Sequence, residues 1–273
     1  MRITLNEQPV NLTPGQTLFA LRDQIKPGAD VLVVNGAPCR TDTILSEGDA
    51  VVLIRRGEIP EADELEALMA ARHTPGVHSR LKRSCAGIAG LGGLGSAIAI
   101  ALARLGAGRL ILADFDVVEP SNLNRQQYFV DQIGMLKTEA LSENLKRVNP
   151  YVVVETHAVR LTPENVGAIF GAVDVLIEAF DTPEAKTMLV ESFSSARPNT
   201  PIVMATGLAG FESSNTIRTR RLAANLVVVG DLETAARPGV GLMAPRVGVA
   251  AHHQANAALR ILMGKNAEGD ATA

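Results

Sequence analysis

Cys85-Ala86-Gly87-Ile88-Ala89-Gly90-Leu91-Gly92-Gly93-Leu94-Gly95 decides the fold of this chain. A short apolar run ends in a glycine turn, and an alanine-rich helical segment, Ser96 to Leu105, follows it. In such a unit the first glycine makes the tight turn and the second lets backbone approach a phosphate. The third lets the helix pack closely on the strand. The helix N-terminus then offers free N–H groups and the positive end of its dipole to an anion. A second apolar run, Leu110-Ile111-Leu112-Ala113, ends in Asp114-Phe115-Asp116. Next come Ser121-Asn122-Leu123-Asn124-Arg125-Gln126, and then Lys137 at the head of another helical stretch. Strand, glycine turn, helix, strand and acid together predict a nucleotide-binding unit.

Downstream, strand and helix patterns keep alternating, which predicts a mostly parallel sheet with helices on its faces. Thr138 to Val148 reads as an amphipathic helix stopped by Asn149-Pro150. Tyr151 to Thr156 reads as a strand and Pro163 to Phe170 as a short helix. Val173 to Phe180 has the character of a buried strand closing on Asp181, with Pro183 opening the next helix. Pro201 to Thr206 is one more strand, and Asn215 to Asp231 alternates like a hairpin, which predicts an antiparallel edge. Val247 to Met263 is the closing helix, and Asn266 to Ala273 reads as a loose tail.

Upstream, residues 1–57 predict a separate small unit. Strands at Arg2 to Asn6 and Val10 to Leu12 precede a short helix, Thr17 to Gln24. Val31 to Gly36 ends in an Asn-Gly turn, and Ala50 to Ile54 follows the turn Ser46-Glu47-Gly48-Asp49. The order β-β-α-β-β is that of a β-grasp, ubiquitin-like domain. Glu58 to Ala71 is helical in pattern, with Leu65, Leu68 and Met69 on one face, and His73-Thr74-Pro75-Gly76 breaks it. Residues 58–79 therefore predict a linker helix, and residues 80–273 a large nucleotide-binding domain.

Composition narrows the function classes. With 273 residues and a 47% apolar fraction, the chain has the makings of a large domain plus a small one. A net charge of −3 does not advertise nucleic acid, which calls for a basic face. No apolar run approaches the ~20 residues of a membrane helix, and the N-terminus lacks a signal-peptide pattern, so the expectation is a cytoplasmic protein without membrane partners. The two cysteines, Cys39 and Cys85, form no C-x-x-C pair, which argues against a disulfide framework and a cysteine-based zinc site. His252 and His253 are neighbours on a helix and point in different directions, so they do not suggest a shared metal.

Taken alone, G-x-G-x-x-G serves NAD, FAD and ATP alike. Asp114, nineteen residues past Gly95, fits the ribose-binding acid of a dinucleotide unit equally well. Two features favour ATP. Arg125 and Lys137 can neutralise phosphate charge, the first with a planar fork and the second as a point charge. Asp181 stands at the carboxyl end of a later strand, where an aspartate can hold Mg²⁺ together with substrate phosphates. These are the parts of nucleotidyl or phosphoryl transfer, in which positioning and charge neutralisation do most of the catalysis. An NAD-binding oxidoreductase would explain the glycines and Asp114 but leave Arg125, Lys137 and Asp181 without roles.

Gly90 to Asp181 resembles the ATP-binding core of the ubiquitin-activating-enzyme superfamily, in its bacterial ThiF and MoeB branch, and the likeness extends over nearly all of residues 80–265. Residues 1–57 resemble the ThiS sulfur carriers, which tilts the resemblance to ThiF. The fold implied is a Rossmann-like α/β domain with a mostly parallel sheet and an antiparallel edge, preceded by a β-grasp domain. The activity implied is a sulfur carrier protein adenylyltransferase of thiamine biosynthesis: the C-terminal carboxylate of a small ubiquitin-like carrier attacks the α-phosphorus of ATP, giving an acyl-adenylate and pyrophosphate. Carried over by motif, Gly90, Gly92 and Gly95 would form the phosphate turn. Asp114 would bind the ribose, with Asp116 nearby as a helper. Asn122, Arg125 and Lys137 would hold the triphosphate and stabilise charge, and Asp181 would bind Mg²⁺. The resemblance also implies a homodimer and an arginine supplied across it, for which Arg72 is the candidate. The same chemistry on a molybdopterin-synthase carrier or a modified tRNA base, and a non-catalytic scaffold, are the alternatives.

Departures from the family pattern matter as much. Carriers end in Gly-Gly, whereas here Arg55-Arg56-Gly57-Glu58 runs on into the chain, so the small domain lacks a carboxylate to activate. The two C-x-x-C pairs of many relatives are missing, and no zinc is expected. No cysteine lies between Gly207 and Asp231, so the reaction is expected to stop at the adenylate.

Overall fold

Alternation of buried and exposed side chains builds the first sheet: Ile3 and Leu5 turn inward from one strand, Val51 and Leu53 from another. A computed structural model describes residues 1–71, 73–74 and 76–268, in two compact units, Met1–Pro75 and Gly76–Ala273. In the first unit β1 (Arg2–Leu5), β2 (Gln8–Asn11), α1 (Leu18–Ile25), β3 (Val31–Val34), β4 (Ala37–Pro38) and β5 (Ala50–Ile54) form a five-stranded sheet with one helix. The strand order is β2-β1-β5-β3-β4, with β1 and β5 parallel and the other pairs antiparallel. Asn6 and Glu7, and then Asn35 and Gly36, take positive φ at the two hairpin tips, as two-residue turns between right-twisted strands require. Thr17 caps α1 by accepting from the Ala20 N–H, and Leu18 and Leu21 complete a core with Ile3, Leu32 and Leu53.

The segment after β5 is tied back to the unit it leaves. In α2 (Ala62–Ala70) Glu64 accepts a 2.7 Å hydrogen bond from the Asn6 side chain, and Lys26 reaches Glu64 at 3.3 Å and Glu58 at 3.4 Å.

The second unit begins with α3 (Val77–Leu81) and builds β6 (Cys85–Ala89), α4 (Gly93–Arg104), β7 (Arg109–Ala113), α5 (Lys137–Val148) and β8 (Val153–His157). It continues with α6 (Pro163–Ile169), β9 (Val175–Glu178), α7 (Pro183–Ala196), β10 (Ile202–Ala205), the hairpin β11 (Arg218–Ala223) and β12 (Leu226–Gly230), and α8 (Ala244–Leu262). The sheet order is β11-β12-β10-β9-β6-β7-β8. All neighbours are parallel except β11 against β12, so the antiparallel edge is a single strand and β12 itself runs parallel to β10. Ile88, Leu110 and Ile177 face one core under α4, α5 and α8, while Ile111, Leu176 and Ile202 face a second that includes Phe170 and Phe193. Each such side chain stabilises the fold by about 1.5–3 kcal/mol when fully buried.

Two local differences from the sequence reading have physical causes. α4 starts at Gly93, not Ser96, because the Ser96 N–H already donates to the Gly92 carbonyl at 3.0 Å, which closes a first helical turn through the glycines. The expected loose tail is held at its start: Arg221 forks onto Glu268 at 3.0 and 3.1 Å, and Arg260 donates to the Asn266 carbonyl. Residues 269–273 of that tail lie outside the described residues. Among the described residues no helix is long and apolar enough to cross a membrane.

Candidate active site

β6 sits where the sheet order reverses, with β7 and β8 following on one side and β9 and β10 on the other. Ligands of open α/β sheets bind beyond the strand carboxyl ends at such a point. A cleft of about 470 Å³ opens there, inside the roughly 300–1,000 Å³ usual for small-molecule sites. Its floor is the glycine turn. Gly90 has φ +90°, and a Cβ there would stand 2.9 Å from the Ala179 carbonyl oxygen. A Cβ on Gly95 would collide with the Gly90 carbonyl oxygen, so α4 can approach β6 this closely only without a side chain. Gly92 and Gly93 line the cleft, and no side chain caps the first N–H groups of α4, which leaves them for an anion.

The peptide groups flanking Leu91 are fixed on both sides. The Leu91 N–H donates to Asp114 Oδ2 at 2.6 Å, and the Leu91 carbonyl accepts from the Tyr128 hydroxyl at 2.7 Å. Asp114 Oδ1 accepts the Asp116 N–H at 2.8 Å. Burial pushes the Asp114 carboxyl above its usual range, and the Asp116 and Leu91 N–H bonds and nearby Lys137 offset only part of this. Burial also drives the Tyr128 phenol far up, helped by the charges of Asp114 and Asp116, so that it stays a donor. Lys137, the first residue of α5, is buried and reaches Asp116 Oδ2 at 2.9 Å.

Arg125 extends into the cleft from a loop, with Nη1 bonded to Asn124 Oδ1 at 2.8 Å and to the Ser121 carbonyl at 3.3 Å. Among the described residues no carboxylate pairs with it. Asp181, three residues past β9, is exposed on the cleft wall, and among the described residues its carboxylate has no hydrogen bond or ion pair. The cleft therefore brings together Gly90, Gly92, Asp114, Asp116, Arg125, Lys137 and Asp181. Gly95 lies behind it. Asn122 is buried in the turn that presents Arg125, where its Oδ1 accepts the Glu119 N–H at 3.0 Å, rather than on the cleft wall. Arg72 lies outside the described residues. Neither cysteine lines the cleft, and burial pushes the Cys85 thiol up.

Sequence reasoning missed the pair that braces the far wall. Glu178, the last residue of β9, is fully buried; both its oxygens accept from Lys186 Nζ, at 2.9 and 3.0 Å, and one also accepts the Phe180 N–H at 2.6 Å. An acid inside an otherwise apolar buried strand was the available signal, since such groups are almost never buried without a partner.

Comparison with known proteins places these features. The ThiF family model matches residues 66–272, and a ThiS-like ubiquitin model matches residues 1–57. The chain belongs to the ThiF family. Among curated relatives, the adenylyltransferase and sulfurtransferase UBA4 of Candida glabrata is 37% identical over 139 residues, 50% of this chain and 31% of that protein. Ubiquitin-like modifier-activating enzyme 5 of Arabidopsis thaliana is 38% identical over 107 residues, 38% of this chain and 25% of that protein. The chain thus spans about a third or less of the length of these relatives. Among solved structures, the E. coli tRNA N6-threonylcarbamoyladenosine dehydratase TcdA in complex with AMP shares the fold at a TM-score of 0.66 and 23% identity, over 72% of this chain and 93% of that one.

The ThiF resemblance implies Mg²⁺. Among the described residues no group of three His, Cys, Asp or Glu side chains could hold a metal by itself. Mg²⁺ bound through one or two carboxylates and substrate phosphates needs no such group, and the unpartnered cleft carboxylate of Asp181 fits that mode.

Proposed function

We propose that this ThiF-family chain is an ATP-dependent adenylyltransferase that activates the C-terminal carboxylate of a separate small ubiquitin-like sulfur carrier of ThiS type. The observation that carries this reading is the cleft itself. A glycine turn and the N-terminus of α4 lie at the sheet's switch point, with Arg125 uncompensated and Asp181 free on its walls. A polyanion whose phosphates lie on the turn and whose ribose lies toward Asp114 meets every one of these groups. The ThiS-like match upstream and the adenylyltransferase relative support a ubiquitin-like acceptor.

In this reaction a carrier carboxylate oxygen forms a bond to the α-phosphorus, the bond from that phosphorus to the bridging oxygen breaks, and pyrophosphate leaves with the electron pair. Arg125 orients the phosphates with its planar fork and takes up charge as pyrophosphate departs. Lys137, held by Asp116 in the cleft lining, adds a positioned positive charge. The Asp114 and Tyr128 bonds to Leu91 keep the turn in the shape that receives phosphate. Bound Mg²⁺, held by Asp181 and the phosphates, would supply further charge neutralisation. Asn122 acts by holding the turn from which Arg125 emerges. By family resemblance the enzyme works as a homodimer.

The test is direct detection of the intermediate. Incubating the chain with MgATP and a purified Gly-Gly-ended ThiS is expected to yield a carrier whose mass rises by one adenylyl group, and Arg125→Ala is expected to lower that yield at least 100-fold. Carrier that stays unmodified while ATP binds the wild-type chain would overturn the acceptor assignment.

A further inference from the structure

We propose that Arg160 and Phe115 form a stacking clamp for the base of the bound nucleotide, an inference that rests on reading this cleft as an ATP site. The two sides of the cleft differ in chemistry. On the α4 and α8 side the glycine turn lies against Arg125 and Val247. On the α6 and α7 side Leu161, Phe180 and Met188 belong to the second core and present apolar surface to the cleft. A triphosphate matches the first side, and a flat, weakly hydrated base matches the second.

Phe115 and Arg160 stand at this apolar side. Phe115 directly follows Asp114 and is 43% exposed; Arg160 comes from the loop between β8 and α6. The guanidinium carbon of Arg160 lies 3.9 Å from the centroid of the Phe115 ring, well inside the ~6 Å range of cation–π attraction. Both residues line the cleft. The other cations of the wall are differently held: Lys137 is neutralised by Asp116 and Lys186 by Glu178, and Arg125 donates to Asn124 Oδ1 and the Ser121 carbonyl. Among the described residues Arg160 has no acid or carbonyl partner for its guanidinium, only the aromatic face. A guanidinium held over a ring at this distance and otherwise unpartnered has its outer side available, and guanidinium planes and aromatic rings are the surfaces on which bases stack. A ribose held toward Asp114 would deliver its base beside this stack.

Binding measurements separate a base clamp from a phosphate contact. Affinities of ATP and of inorganic tripolyphosphate are measured by competition against a labelled nucleotide on the wild-type chain and on Arg160→Ala, Arg160→Met and Arg125→Ala. Thermal melts confirm folding, since Arg160 is exposed. The clamp requires that both Arg160 variants lose roughly fivefold to 20-fold in ATP affinity while tripolyphosphate changes less than twofold, and that Arg125→Ala weakens both ligands. Equal losses for ATP and tripolyphosphate in the Arg160 variants would make Arg160 a phosphate contact and overturn the clamp, as would unchanged ATP affinity. A wild-type chain that binds no ATP would overturn the functional reading and the clamp together, whereas the preceding outcomes overturn the clamp alone.

Discussion

Replacing Gly95 by alanine places a methyl group against the Gly90 carbonyl oxygen, a backbone atom that cannot yield unless α4 moves away from β6. Gly95→Ala is therefore expected to destabilise the chain by about 2–4 kcal/mol and to weaken ATP binding at least tenfold, read by urea unfolding and by calorimetry. Unchanged stability would mean that the helix has room this geometry denies it. Single residues were unevenly legible in the sequence. Gly90 and Gly95 could be read because their spacing serves one backbone shape, and that shape is what the structure contains; that Asp114 would hold the Leu91 and Asp116 N–H groups could not be read from spacing. Asn122 could not: a carboxamide can hold a phosphate or a turn equally well, and only the position of the Glu119 N–H shows which task it has here. The stacking of Arg160 on Phe115 joins residues 45 positions apart and leaves no trace in local pattern.

At the scale of elements, α7 is docked on the end of β9 by a buried ion pair, and its strength should depend on pH. Burial pushes the Glu178 carboxyl up, against the opposing effects of Lys186 and of the Phe180 and Ala205 N–H groups. A carboxyl raised in the folded state contributes stability that is complete below its unfolded value and is lost as pH rises through the folded value. Removing Lys186 takes away the main opposing charge, so the folded value rises further and the loss grows. Lys186→Met is expected to cost about 3–5 kcal/mol near pH 8 and clearly less near pH 5, measured by urea unfolding at both. A deficit that shrinks toward high pH would contradict the buried pair. Helix ends were the least legible part of the fold. The sequence pattern starts the last helix at Val247, yet α8 begins at Ala244, because Pro245 is tolerated in a first turn whose N–H groups have no partner anyway. Arg246 then anchors that turn by bonding Asp231 at 2.6 Å and the carbonyls of Glu212 and Ser213. These contacts depend on a crossover whose path local sequence does not encode.

At the scale of the whole molecule, the chain forms two units with separate cores. Every residue of the cleft comes from Gly90 onward. The β-grasp unit runs from Ile54 into a segment tied down through Lys26, Asn6 and Glu64, whereas an acceptor needs a free terminal carboxylate. The two-unit order was readable early because alternation with period two gives way to strand–helix alternation after residue 84, and because each pattern is dictated by its own core. On the proposed reading carrier and catalyst are different chains, and this is its central claim. It is tested most directly by ATP–pyrophosphate exchange with Mg²⁺, in the presence and absence of a purified Gly-Gly-ended ThiS, on the wild-type chain and on Arg125→Ala and Asp181→Ala. Exchange that requires the added carrier and falls at least 100-fold in both variants is the expected result. Exchange without added carrier, or binding of NAD in place of ATP, would contradict it.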